Sequence, residues 1–207
     1  MGVVQGGDEE GPLTPEGGKE ISTMKILTFI FLSLLIRTDF LFAQPASDTA
    51  AIKKQLAEIY ERDQRVRKSD DSAAFKSMID SSNLAQVEAL IAKYGWMGKS
   101  KIGSQGNYTL WLVVQHADLA TQEKYLPMLE KSVAEGESRG SELAYLKDRV
   151  LMRQGKKQIY GTQVVPGASG YEEFWPIEDV TNVNKRRAEA GLGPIEEYAK
   201  NFNIYKR

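Results

Sequence analysis

His116 is the one histidine among 207 residues, and it lies in Gln115-His116-Ala117-Asp118, directly after the apolar run Leu110-Trp111-Leu112-Val113-Val114. A single imidazole excludes HExxH and every site that needs two histidines, and the chain has no cysteine to supply a thiolate. Carboxylate-dominated metal binding or metal-free chemistry is left. With zinc disfavoured, the expectation is a site with neither metal nor cofactor. The ring continues the face of Leu112 and Val113, so it should be largely buried, where its nitrogens need partners. Two readings follow. In one, His116 is a core residue satisfied by Asp118 or Asp148. In the other, His116 is a general base and one of these carboxylates orients it.

Further polar residues extend the candidate set. Asp63 falls on the apolar stripe of Ile59 and Val66, so it either points inward to a partner or closes an i,i+4 surface pair with Arg67. Asp148 also leans inward, between Ala144 and Leu151. Arg149, Arg186 and Arg187 carry planar forks suited to bidentate binding of carboxylate or phosphate, or to internal bridges with Asp148 and Glu178-Asp179. At least one is expected to close such a bridge. Tyr160 and Thr162 alternate in a β-prone run and share a face, with Gln163 opposite. Gly161 between them implies close approach of the backbone to something, which a neighbouring helix could supply. The candidate catalytic residues are thus His116, Asp118 and Asp148. The candidate ligand-binding residues are Asp63, Gln115, Arg149, Tyr160, Thr162, Gln163, Arg186 and Arg187.

No GxSxG, P-loop or dinucleotide fingerprint occurs, and Gly103-Ser104-Gln105-Gly106 is too short to cradle phosphate, which disfavours nucleotide enzymes. Asn107-Tyr108-Thr109 fits a glycosylation sequon, a triplet common by chance.

A mainly helical frame must position these residues. Ile52, Leu56, Ile59, Tyr60 and Val66 recur at helical spacing and predict a helix over 48–68. A second is predicted from Asn83 to Tyr94, stopped by Gly95, then a loop holding Gly98, Gly103 and Gly106. Residues 107–117 predict a helix apolar on every side. Asp118 or Thr121 caps the next, which must bend or restart at Pro127. Another runs from Ser141 to about Gln154. Lys157 to Val165 is rich in β-formers, Pro166 to Gly170 is turn chemistry, and Tyr171 to Ile177 returns as a second strand that must lie against the helices. Asp179 or Thr181 then caps a helix ending at Gly191, and Pro194 opens a last one. The fold class is therefore mainly α, a compact helical domain with a small β-hairpin near the C-terminal third.

Taken together, Asp63-Gln64-Arg65-Val66-Arg67, Tyr94-Gly95-Trp96, Trp111 to Asp118, Ala144-Tyr145-Leu146-Lys147-Asp148-Arg149-Val150, Gln158-Ile159-Tyr160-Gly161-Thr162-Gln163, Trp175-Pro176-Ile177-Glu178-Asp179, and Arg186-Arg187 through Gly191-Leu192-Gly193-Pro194 form a specific series. Over about Ala50 to Phe202 the chain resembles a bacterial domain family of unknown function. That resemblance implies no activity, cofactor or catalytic residue.

Ahead of the domain, Met24 and Lys25 open a positive n-region, and Ile26 to Ile36 forms an apolar stretch interrupted by Thr28 and Ser33. Arg37 and Asp39 end it well short of the ~20 residues a membrane span needs. The pattern predicts a signal peptide over 24–43, cut after Ala43 with Ala46 as a second candidate, and no transmembrane anchor afterwards. Residues 1–23, rich in glycine and poor in apolar side chains, are expected to be disordered and to reflect a start placed too early. Cleavage removes 3 basic and 6 acidic side chains from totals of 27 and 28, leaving 24 and 22 in a single domain over 44–207. That balance argues against nucleic-acid binding, and the missing cysteine removes disulfides and a lipid tether. A periplasmic or secreted protein is expected.

Three function classes remain. A binding module would hold a small polar or anionic molecule against His116, Gln163 and the arginines. A metal-free hydrolase would use His116 as base, a carboxylate partner and an arginine at developing negative charge. An interaction domain would use the polar motifs as ties. Binding ranks first, because an enzyme needs a nucleophile or metal to which the sequence does not point.

Overall fold

The computed structural model describes residues 46–167 and 170–204. The expected disordered stretch and signal peptide lie outside the described residues. The chain forms α1 (Ala46–Lys68), α2 (Ala73–Tyr94), α3 (Lys99–His116), α4 (Leu119–Ala134) and α5 (Gly140–Arg153), then a hairpin of β1 (Val164–Pro166) and β2 (Glu172–Phe174), then α6 (Val183–Glu189) and α7 (Ile195–Ala199). It is mainly helical with a small antiparallel hairpin in the C-terminal third, as the sequence predicts.

The all-apolar run makes α3 the centre of the core. Leu110 to Val114 are all buried, and α1 closes over them with Ile52, Leu56 and Ile59 while α2 adds Val87, Leu90 and Ile91. Leu129 and Tyr125 of α4 and Leu146 of α5 complete the cluster. Each buried side chain of this size contributes about 1.5–3 kcal/mol, enough for helices of modest propensity to be fixed by packing. An aromatic run crosses the core from Tyr60 through Tyr108, Trp111 and Tyr145 to Tyr198, with ring centroids 5.1–6.4 Å apart. It ties α1 to α7.

Four expectations are corrected. Helix α2 begins at Ala73, ahead of Asn83, because Ser72 accepts from the Phe75 N–H at 3.2 Å and caps it; Phe75, Met78 and Ile79 stand at helical spacing in its first turns, although Phe75 and Met78 stay exposed. The glycine segment is helical from Lys99, with a kink where Gly103 adopts φ 78°. Pro127 lies inside α4 without ending it. The first strand shrinks to Val164–Pro166, since the N–H groups of Ile159, Tyr160, Thr162 and Gln163 bond to side chains rather than to a partner strand, and only an isolated bridge pairs Gln158 with Ile177. The hairpin pairs Val164 with Phe174 and Pro166 with Glu172.

Candidate functional site

The C-terminal turns of α1, the first half of α2 and the end of α3 meet around a cleft of about 440 Å³. Its walls include Asp63, Lys76, Asp80, Asn83, Leu84, Val113, His116 and Asp118. Each arrives for a local reason. Asp63 follows Ile59 by one turn, so burial of that stripe carries the carboxylate down to 1% exposure. His116 ends α3 one turn beyond the buried Leu112, and its ring is half-buried. Asp118 is drawn to the rim because it caps α4, accepting from the Thr121 N–H at 2.8 Å. That bond holds its carboxyl below the usual carboxylate range.

Arg67 pairs with two of the cleft's carboxylates. Its Nη2 donates to Asp63 at 3.2 Å and also to Asp80, bridging α1 and α2. Burial acts to lower this guanidinium, but Asp80 and Asp63 more than offset it and raise it overall. His116 goes the other way. Burial disfavours the imidazolium, Arg67 and Arg149 push in the same direction, and Asp63 and Asp80 oppose them; the net effect lowers the pKa from 6.5. The ring is neutral at pH 7, with one nitrogen donating and one accepting. Among the described residues no group hydrogen-bonds to it, Asp118 and Asp148 included.

Asn83 carries an unfilled requirement of its own. It is 1% exposed on the stripe of Val87, Leu90 and Ile91, and its Oδ1 accepts from Arg62 Nε at 2.7 Å. Its Nδ2 and Arg62 Nη2 are both buried and have no hydrogen-bond partner. Arg62 has no carboxylate in ion-pair range among the described residues.

Asp148 occupies a different place. Fully buried on α5, it accepts from the N–H groups of Ile159, Tyr160 and Thr162 and from the Thr162 hydroxyl, at 2.7–3.1 Å. Those donors neutralise the cost of the buried carboxylate. Gln158 braces the same loop: its Oε1 accepts from the Gln163 N–H, and its Nε2 donates to the carbonyls of Gln163 and Trp175. Gln163 Nε2 turns to Thr162 Oγ1 at 3.0 Å.

The arginines bind backbone carbonyls. Arg187, 2% exposed, donates to Tyr160 and Gly193 and lies over the Tyr198 ring at 5.0 Å. Arg186 donates to the carbonyls of Ile159 and Asp179 and pairs with the Asp179 carboxylate at 3.3 Å. Arg149 donates to the Gln115 carbonyl at 3.3 Å and Arg153 to that of Ala117 at 2.6 Å, so cations cover the C-terminus of α3. Gln115 itself is engaged there through its backbone.

The sequence candidates therefore divide. Asp63, His116 and Asp118 share the cleft, and Gln115 with Arg149 stands behind it at the end of α3. Asp148, Tyr160, Thr162, Gln163, Arg186 and Arg187 gather in the C-terminal loop cluster.

The sequence model of one protein family matches residues 38–205. The chain belongs to this family, a family of unknown function designated DUF6624. No curated protein and no solved structure gives a match. The matched span takes in both the cleft and the loop cluster.

Sequence reasoning missed Arg62, Lys76, Asp80 and Asn83. One signal was Asn83, an amide in register with Val87 and Leu90; a helix starting there places it at a helix end, where an asparagine is unexceptional. The other was Phe75, Met78 and Ile79, which stand at helical spacing on the turns that carry Lys76 and Asp80.

Proposed function

We propose that this domain binds a small polar molecule in the cleft between α1, α2 and α3, after export by the signal peptide at 24–43. One observation carries the reading: a neutral, half-buried His116 without a hydrogen-bond partner lines the same concavity as Asn83, whose buried Nδ2 also has none. Buried polar groups are nearly always paired, and a buried amide donor without a partner, beside a half-buried imidazole with none, describes a site shaped for a guest. The volume suits a compact metabolite.

A thermal-shift screen of sugars, amino acids, dicarboxylates and phosphate esters tests it on the wild type and on His116→Gln. A ligand at 100 times its dissociation constant adds about 2.7 kcal/mol of stability. The expected result is a response in the wild type that His116→Gln abolishes while its own fold stays intact. Equal responses in both proteins would remove His116 from the site. For export, expression from Met24 in a bacterial host is expected to give periplasmic protein beginning at Gln44, and N-terminal sequencing decides it.

A further inference from the structure

The cleft also says which chemistry its guest presents. Arg62 Nε donates to the oxygen of the Asn83 amide at 2.7 Å, and this fixes which end of the amide is which. A flipped amide would set two donors against each other. The unpartnered end is therefore the NH₂ group, and what it lacks is an acceptor. Arg62 Nη2, within the same hydrogen-bonded pair, is a second buried donor lacking an acceptor. Since this guanidinium has no carboxylate in ion-pair range among the described residues, positive charge accompanies the missing acceptor.

We propose that the cleft seats a carboxylate group of its ligand on Asn83 Nδ2, with Arg62 orienting the amide and supplying the countercharge. This rests on the ligand-binding reading above. A carboxylate is favoured over phosphate because Asp63, Asp80 and Asp118 line the same walls and repel a more highly charged anion. An amide NH₂ on the cleft wall, backed by the guanidinium that holds its oxygen, suits a planar group with a single negative charge.

The test is calorimetric titration and thermal shift of the whole chain with butyrate, glutamate, inorganic phosphate and butane-1,4-diamine. Butyrate or glutamate is expected to bind the wild type and to raise its melting temperature. Asn83→Asp gives Arg62 a carboxylate partner, so this variant is expected to melt no lower than wild type while binding the carboxylate probe at least about tenfold more weakly. Arg62→Gln keeps a donor for the Asn83 oxygen without the charge and is expected to weaken the same probe. Phosphate or the diamine binding more tightly than both carboxylates, with loss in His116→Gln, would overturn the carboxylate assignment and leave the cleft as a binding site. Unchanged carboxylate affinity in a folded Asn83→Asp would overturn it as well. No response to any probe, or to the broader panel, would overturn both readings.

Discussion

Asp148 holds Thr162 twice, through its backbone N–H at 3.0 Å and its hydroxyl at 2.9 Å, both to Oδ2. The other oxygen takes the Ile159 N–H at 2.7 Å, so one side chain of α5 stands in for the strand that residues 159–162 would otherwise need. Asp148→Ala leaves three N–H groups without an acceptor, that of Thr162 buried, and is expected to cost about 3–5 kcal/mol in urea unfolding. Asp148→Asn keeps one acceptor oxygen but turns an NH₂ toward donors, and should fall between. A loss below ~1 kcal/mol for the alanine variant would mean the loop is held by other contacts.

The lowered pKa of His116 makes stability depend on acidity in a defined window. The folded protein releases its imidazole proton more readily than the unfolded chain, whose value is 6.5. As pH falls through 6.5 the unfolded state takes up the proton first, so stability declines until the folded value is passed and then levels off. The slope cannot exceed ~1.4 kcal/mol per pH unit for one proton. Unfolding free energies at pH 7.5 and 5.5 should differ more in the wild type than in His116→Gln. The same difference in both would assign the effect to other groups.

Arg67 is shared by Asp63 and Asp80, and Asp63 is the buried partner. Arg67→Met is expected to destabilise by about 1–3 kcal/mol, because the buried carboxylate loses its cation. Adding Asp63→Asn should recover part of that loss. Strict additivity of the two changes, measured in a double-mutant cycle, would show that the pair is not coupled.

Gly161 has φ 66°, and a Cβ there would stand 2.6 Å from Ile195 Cδ1 of α7 and 3.1 Å from Ile177 Cδ1. Gly161→Ala combines left-handed backbone strain with a steric clash, and about 2–4 kcal/mol of lost stability is expected. Pairing it with Ile195→Val relieves only the clash. A full recovery in that double variant would show that the backbone strain is negligible.

The helices were legible wherever burial imposes periodicity. Ile52, Leu56 and Ile59 announced α1, and the unbroken Leu110 to Val114 announced that α3 is central. Legibility failed where a side chain replaces a backbone partner. Val164 and its upstream neighbours have strand chemistry, but the Asp148 carboxylate and the Gln158 amide take the N–H groups that pairing would use. Residue type betrayed that Asp148 and Asp63 turn inward; it could not say to whom. For the cleft, His116, Asp63 and Asp118 were visible as candidates. Asn83 and Arg62 were not, since the missing partner that marks them exists only once α1 and α2 are packed together.

The clasp on Asp148 also sets an order of assembly. The described residues from 155 to 204 hold short helices and a hairpin of two three-residue strands, organised largely by a carboxylate on α5 and by Arg187. Such a segment has little to hold it until α5 is in place, whereas α1 to α5 make local contacts with one another and can collapse early. The C-terminal third would then dock late onto a preformed helical body. In native-state hydrogen exchange its amides, including those bound to Asp148, would open together at lower free energy than the amides of α3.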